Sequence, residues 1–334
     1  MVAAGRPSNP PGDGWNLGPV PNVPTSRGRS TLRGEPVAEK SPRRWWIIGC
    51  GGLIVIAVVA AGAIVGIGWF ASRNEHPFDR TTAHPVPPAG LAGSGEPMSA
   101  PAGRVVLDLA SAEFYIEPAP RGKPLNVEAS YDRNYYVLTE QMKPGDPWIF
   151  ELKFEPQGWG LIRGIKELIG SNRPVVRLQL PADAPIELEV ELNNGAASVD
   201  IGALRLVSAD FEVQSGLVEV ASSEPPLARP ERIKIHGGRG GVMLRSLAVA
   251  SPRLIDIDFK MGGAQLDLRG QWIADSEIKI DTSLSDMVLR LPRQARIEGL
   301  ETAPRLDLDT LEQAPPTLRF DITTGTRGKV KILE

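Results

Sequence analysis

The sequence has little cysteine, histidine and aromatic content. Its 334 residues include one cysteine, three histidines and 6% aromatic residues. The single Cys50 excludes an internal disulfide, so packing has to supply the stability. His76 and His84 are two spaced histidines in a proline-rich stretch, too few to complete a metal site, and His236 is expected on an exposed strand face. We therefore expect no metal and no cofactor.

The sequence also has no recognisable catalytic combination. Several acidic residues are candidates for the paired carboxylates of sugar chemistry: Asp256, Asp258, Asp267, Asp281 and Asp286. Asp256 and Asp258 alternate with apolar residues, as on a solvated strand face, and no His, Tyr or Arg cluster accompanies the set. We expect no catalytic residue and no enzyme activity.

Two glycine-rich segments match binding motifs only in part. Residues 237–241 and 262–267 resemble the calcium-binding nonapeptide, but the first lacks the aspartate and the second lacks the third glycine. Neither resembles a phosphate loop, because no lysine-serine pair and no helix start follows. Both segments are expected to be tight β-turns.

Charge is absent between Arg44 and Arg73. Residues 45–71 are predicted to form a retained transmembrane helix, because about 25 residues at about 1.5 Å each cross a ~30 Å hydrocarbon core. Aromatic residues at both ends are expected to anchor the helix in the headgroup zone: Trp45, Trp46, Trp69 and Phe70. Gly62 and Gly66 form a small-xxx-small pair that favours helix packing and a homo-oligomer.

The flanking charges predict the orientation. Residues 1–44 carry seven basic and three acidic side chains, and Arg43 and Arg44 directly precede the helix. Positive charge stays on the cytoplasmic side, so we expect a single-pass protein of the cytoplasmic (inner) membrane with its C-terminal part outside. That part is acidic, which argues against nucleic acid as a partner.

Composition divides the chain into five segments. Residues 1–44 are rich in proline and glycine and are expected to be a disordered cytoplasmic tail. After the helix, residues 72–103 are expected to be a proline-rich linker. Residues 104–180 are predicted to be a β subdomain with a short amphipathic helix at 159–170, and residues 181–334 a repeat domain.

The repeat domain consists of strand, glycine turn, strand units. Corresponding apolar positions fall at 192, 213, 235, 259, 280 and 322, with steps of 21, 22, 24, 21 and 42, the last interpreted as two periods with a degenerate unit between. The fold class predicted is mostly β, with a β-solenoid-like ectodomain whose inward rows form one core. A sandwich of hairpins is the alternative.

Three parts of the chain resemble a known family: the stretch Val106–Ile116, the strand Leu125–Tyr131 and the coils with glycine turns from Val190 onward. The family that they resemble is the toastrack or "putative adhesin" group of bacterial envelope proteins, which includes the C-terminal domain of LiaF. The resemblance implies envelope localisation and a non-enzymatic sensing or scaffolding role, and it supplies no site residues.

Two functions remain open from the sequence. The first is the sensing or modulation of envelope stress through contacts with a membrane signalling protein. The alternative is an adhesin-like module that binds wall or surface glycans. Exposed aromatic rows would favour glycans, and the candidates for such a row are Trp159 and Trp272.

Overall fold

The computed structural model describes five ranges of the chain: residues 77–86, 102–157, 173–300, 314–325 and 329–333. Within these ranges no helix has the length and apolar character needed to cross a membrane. The predicted tail, the transmembrane helix with its aromatic anchors and glycine pair, and the predicted helix at 159–170 all lie outside them. Those assignments stay predictions.

The described residues are mostly β-structure, as predicted. Their strands are β1 (Pro77–His84), β2 (Gly103–Pro118), β3 (Leu125–Asp132), β4 (Tyr136–Lys143), β5 (Ile149–Pro156), β6 (Val175–Leu180), β7 (Pro185–Asp200), β8 (Arg205–Ala221), β9 (Arg232–Arg245), β10 (Leu254–Asp267), β11 (Ser276–Arg290), β12 (Arg296–Glu298), β13 (Thr317–Thr324) and β14 (Lys329–Leu333). A 3-10 turn at Leu247–Val249 is the only helical element in these ranges.

The long strands β2, β7, β8, β9, β10 and β11 are parallel neighbours in that order. Each strand bends near its middle. In β7 the buried positions are even-numbered from Ile186 to Leu192 and odd-numbered from Ala197, so the bend lets both halves point side chains into the core. The first halves form one wall, which we call the first wall, and the second halves form the second wall. Parallel strands repeated once per coil are the arrangement expected of a β-solenoid.

The core consists of apolar rows that run from coil to coil. One buried row of the first wall is Leu107, Val190, Phe211, Ile235, Ile257 and Ile280. One buried row of the second wall is Ile116, Val199, Val220, Leu244, Leu266 and Leu289. Each fully buried side chain of this size contributes roughly 1.5–3 kcal/mol, so the rows hold adjacent coils together.

The observed register corrects the repeat alignment in three places. Ile235 pairs with Phe211 rather than Val213, and it pairs with Ile257 rather than Phe259. Ile280 likewise pairs with Ile257 rather than Phe259. Each shift is two residues. Since side chains alternate with period two, such a shift leaves every side chain on its predicted face, and the apolar pattern does not reveal it.

The last interval is also different from the prediction. β13 pairs directly with β11, so that Ile280 lies beside Ile322, and no further coil separates them. The three-residue β12 pairs with the far side of β13. The long step between positions 280 and 322 is therefore not two periods with a unit between.

Strands β1 and β3–β6 cover the first coil. β5 extends the first wall beyond β2, with β4 outside it, while β6, β3 and β1 extend the second wall. Because β2 also pairs with β7 along its length, the predicted segments 104–180 and 181–334 share one continuous sheet. The structure also places β1 inside the segment predicted as a linker.

Glycines form a ladder at the bend of successive coils. Gly195, Gly216, Gly240 and Gly262 have φ between 133° and 139°, a region that side chains disfavour. An added Cβ at Gly262 would lie 1.8 Å from the carbonyl oxygen of Gly240, and at Gly240 it would lie 1.9 Å from that of Gly216. The bend thus has no room for a side chain.

Adjacent glycines of β10 provide a matched test of the ladder. We predict that Gly262→Ala lowers the free energy of unfolding by about 2–5 kcal/mol, through backbone strain and contact with the carbonyl of the preceding coil. At Gly263 an added Cβ would come no closer than 3.9 Å to its nearest neighbour, an ordinary contact, so Gly263→Ala should change stability by less than about 1 kcal/mol. Urea unfolding followed by circular dichroism measures both. Equal effects of the two substitutions would contradict the role of the ladder.

Candidate binding surface

The outer face of the first wall is rich in carboxylates. Outward acidic side chains on its long strands are Asp108, Glu187, Glu189, Glu191, Asp210, Glu212, Asp256, Asp258, Glu277 and Asp281. The exposed or half-exposed basic side chains of the same strand segments are Arg104, Arg205, Arg232, Lys234 and Lys279, and His236 lies among them. Because the strands are in register, these groups repeat at the strand spacing of about 4.8 Å.

Ion pairs neutralise part of this face. Arg104 Nη2 lies 2.7 Å from Glu189 Oε2, and Arg232 Nη2 lies 2.7 Å from Asp210 Oδ2. The hydrogen bond that Arg104 donates to the Glu189 carboxylate raises the pKa of Arg104. Among the described residues, no cationic group lies within 4 Å of the carboxylates of Glu191 and Glu212. The centre of the face, on β7 and β8, therefore keeps an excess of negative charge.

A shallow open depression lies over this centre. Its volume is about 340 Å³, and its polar lining comes from Asp108, Glu189, Glu191, Asp210, Glu212, Lys234 and His236. A depression of this form suits contact with a surface of another molecule rather than enclosure of a small substrate.

The outer face of the second wall has a different character. Two of its rows on β7–β11 consist mainly of small or uncharged side chains: Ala196, Leu217, Gly241 and Gly263, with Ser198, Met243, Gln265 and Val288. Each of these rows has one acidic member, Asp286 in the first and Glu219 in the second. Leu217 is 41% exposed. The first wall thus presents a strongly acidic face, and the second wall presents a face with fewer charges of both signs.

The five aspartates considered for catalysis do not form one site. Asp256, Asp258 and Asp281 lie on the first wall, whereas Asp267 and Asp286 lie on the second. Asp267 accepts hydrogen bonds of 2.8 and 2.6 Å from Arg269, and this contact lowers the pKa of Asp267. It is held as a charged ion-pair partner and is unsuited to act as an acid.

Asp258 and Asp281 are cross-strand neighbours, but Asp258 is only half-buried and Asp281 is exposed on the flat face. His236 Nδ1 lies 3.4 Å from Asp258 Oδ2, on the exposed strand face predicted for this histidine. Within the described ranges, no group of three or more His, Cys, Asp or Glu residues is placed to hold a metal ion. The glycine segments 237–241 and 262–267, which the sequence predicts to be tight β-turns, lie within β9 and β10, where Gly240 and Gly262 belong to the ladder.

The structure does not place Trp272 on a binding surface. Its side chain is 3% exposed, and its indole Nε1 donates a 2.8 Å hydrogen bond to the Leu268 carbonyl oxygen. Trp272 is therefore a core residue that packs under a loop between coils, and it offers no ring to a sugar. Trp159 lies outside the described residues.

A buried polar contact joins the outermost strands of the two walls. His84 Nε2 of β1 lies 2.7 Å from Glu140 Oε2 of β4, and Arg80 Nε lies 3.5 Å from Glu140 Oε1. The Glu140 side chain is 1% exposed, and the His84 ring packs on Phe150 with centroids 5.1 Å apart. We call this contact the clasp. The clasp is not expected from the sequence, because β1 lies within residues 72–103, which are predicted to be a linker.

Comparison with known proteins finds similarity in structure alone. No family model and no curated protein matches the chain. A "putative cell adhesion protein" from Clostridium sporogenes is 12% identical with a TM-score of 0.34, and covers 77% of this chain and 99% of its own. A "putative adhesin" from Bacteroides fragilis is 10% identical with a TM-score of 0.35, and the match covers 77% of this chain and 97% of that protein. A "putative lipid binding protein" from Parabacteroides distasonis is 10% identical with a TM-score of 0.25, and the match covers 78% of this chain and 98% of that protein.

These neighbours are in keeping with the adhesin-type resemblance. A closer relation to LiaF stays a prediction. Similarity at such low identity and TM-score carries no functional argument, so the function has to be argued from this chain's own surfaces.

The clasp can be tested by removing its histidine. We predict that His84→Ala lowers the free energy of unfolding by about 1–3 kcal/mol, because the buried Glu140 carboxylate loses a hydrogen-bond partner. Faster hydrogen exchange at the β1 amides should accompany this loss. Thr81→Ala is the control, since Thr81 is an exposed residue of the same strand. If both variants left β1 exchange unchanged, the clasp would not hold the strand.

Proposed function

We propose that this chain is a non-enzymatic, membrane-anchored envelope protein whose β-domain binds a protein partner through the outer face of the first wall. The observation that carries the proposal is the carboxylate excess on β7 and β8. Complementary charge on a partner steers association and selects against wrong partners. The expected partner therefore presents a basic surface.

A glycan ligand is the alternative, and the described surface supports it less. Sugar-binding faces commonly use exposed aromatic rings, and Trp272 is buried. Tyr115 is half-buried on the second wall, where the Arg177 guanidinium lies 5.1 Å from its ring centroid. The described part of the chain thus shows no row of exposed aromatic rings along either wall.

A role in envelope sensing rests on the clasp. β1 is the first described strand after the predicted transmembrane helix. The clasp connects His84, at the C-terminal end of β1, to Glu140 of β4 on the first wall. Phe78 at the other end of β1 packs edge-on against Tyr131, with centroids 5.6 Å apart. A partner that shifts the walls would therefore move the strand nearest to the membrane segment. We propose this coupling as the route by which binding is signalled.

Photo-crosslinking of the full-length protein in cells tests the binding face. A photoreactive residue at Ser208, outward on the first wall, is expected to capture a protein partner. The same residue at Ser198, outward on the second wall, is the matched control and should capture little. Combined Glu189→Lys and Glu212→Lys substitutions should reduce capture from position 208 by roughly tenfold or more, because they reverse the complementary charge.

Three outcomes would contradict the proposal. Equal capture from positions 208 and 198 would exclude a specific face, and capture unaffected by charge reversal would exclude the electrostatic basis. Recovery of wall polymer in place of protein would favour the glycan alternative. Capture of a membrane signalling protein, lost when His84→Ala loosens β1, would support the sensing role.

A further inference from the structure

The chain enters the β-domain at the edge of the second wall that carries the glycine ladder. Successive strand pairings place Asp79 of β1 at the same height in the sheet as Gly263 of β10. The paired residues between them are, in order, Ser130, Val175, Glu113, Ala196, Leu217 and Gly241. Pro77, two residues earlier, is therefore level with Arg239 and Met261, which pair with each other just before the ladder glycines. β1 begins at the same edge as the bends of the long strands.

The residues along this edge form a surface without carboxylates. On β7–β10 the edge, which we call the corner ridge, consists of Asn193, Asn194, Gln214, Ser215, Gly238, Arg239, Lys260, Met261 and the ladder glycines. Arg239 and Lys260 are exposed, and Met261 is 44% exposed. The ridge therefore combines cationic, uncharged polar and apolar side chains, as lipid headgroup surfaces require.

The charges of the neighbouring face give this ridge a direction. Glu191, Glu212 and Asp258 lie next to the ridge on the first wall, which carries the acidic excess. An anionic surface would repel the first wall and attract Arg239 and Lys260. Contact through the ridge, with the first wall turned away, is the arrangement that electrostatics favours.

Chain length limits the distance between the start of β1 and the predicted bilayer. Only six residue steps separate position 71, where the predicted transmembrane helix ends, from Pro77, where β1 begins. Fully extended, six steps reach at most roughly 22 Å. The start of β1 is therefore held near the membrane surface, which a 32-residue linker over 72–103 would not require. The corner ridge is level with Pro77 but lies four to seven strands further along the same sheet, so it meets the membrane surface when this edge of the sheet runs along the bilayer.

From these observations we propose that the corner ridge rests on anionic lipid headgroups and that their phosphates contact Arg239 and Lys260. This contact leaves the acidic first wall free for a partner. The inference rests on the membrane anchoring proposed above, and it adds an orientation that neither the anchor nor the binding face specifies.

Fluorescence quenching in nanodiscs tests the proposal on the full-length protein. In a Cys50→Ser background, Met261→Cys is labelled with a fluorophore, and the discs contain phosphatidylcholine, phosphatidylglycerol and a headgroup nitroxide. Ser223→Cys, exposed beyond the opposite end of the second-wall strands, is the matched control. We expect quenching at position 261 to be at least twofold greater than at position 223.

Two further comparisons test the charge. Arg239→Glu with Lys260→Glu, or discs of phosphatidylcholine alone, should lower quenching at 261 to the level of the control. The proposed contact would be overturned, with the anchor intact, if quenching at positions 261 and 223 were equal. It would also be overturned if neither the charge reversal nor the removal of anionic lipid lowered quenching at position 261. Failure of the protein to incorporate into discs would refute the anchoring itself, and the ridge contact with it.

Discussion

The close approach of backbone at the glycine ladder is the constraint on which the other features depend. At each bend the chain needs a positive φ and lies against the carbonyl of the preceding coil, and glycine alone meets both conditions without strain. The ladder lets β7, β8, β9 and β10 bend at one level and stack at about 4.8 Å, and β2 has its positive φ at Ser111. One core between two walls follows from that bend.

In-register stacking also determines what the molecule presents to its surroundings. Every outward position of one coil lies beside the equivalent position of the next. A few charged residues at fixed positions of the repeat therefore determine the charge of a whole face. On the first wall this yields an acidic surface centred on β7 and β8, and on the second wall it yields a surface with fewer charges of both signs. The difference between the two faces of the described domain therefore follows from the repeat itself.

Alternation and glycine spacing were sufficient to predict a mostly β, solenoid-like domain, because period two and a recurrent bend are local signals. Register was harder, since a two-residue shift preserves every face. Gly237 illustrates the difficulty: it was predicted to lie in a turn, but it occupies a core row where the Phe259 ring of the next coil fills the space. The clasp between His84 and Glu140 was not predictable, because its partners lie 56 residues apart on strands of opposite walls.

The most direct test of the account is a distance along the stack. Ser198 and Val288 occupy one row of the second wall, linked through Glu219, Met243 and Gln265 across four strand spacings. Pulsed electron paramagnetic resonance on spin labels at these two positions, in a Cys50→Ser background, should give a single narrow distance near 19 Å. A broad distribution, or a distance well beyond 30 Å, would contradict parallel stacking and the faces that depend on it.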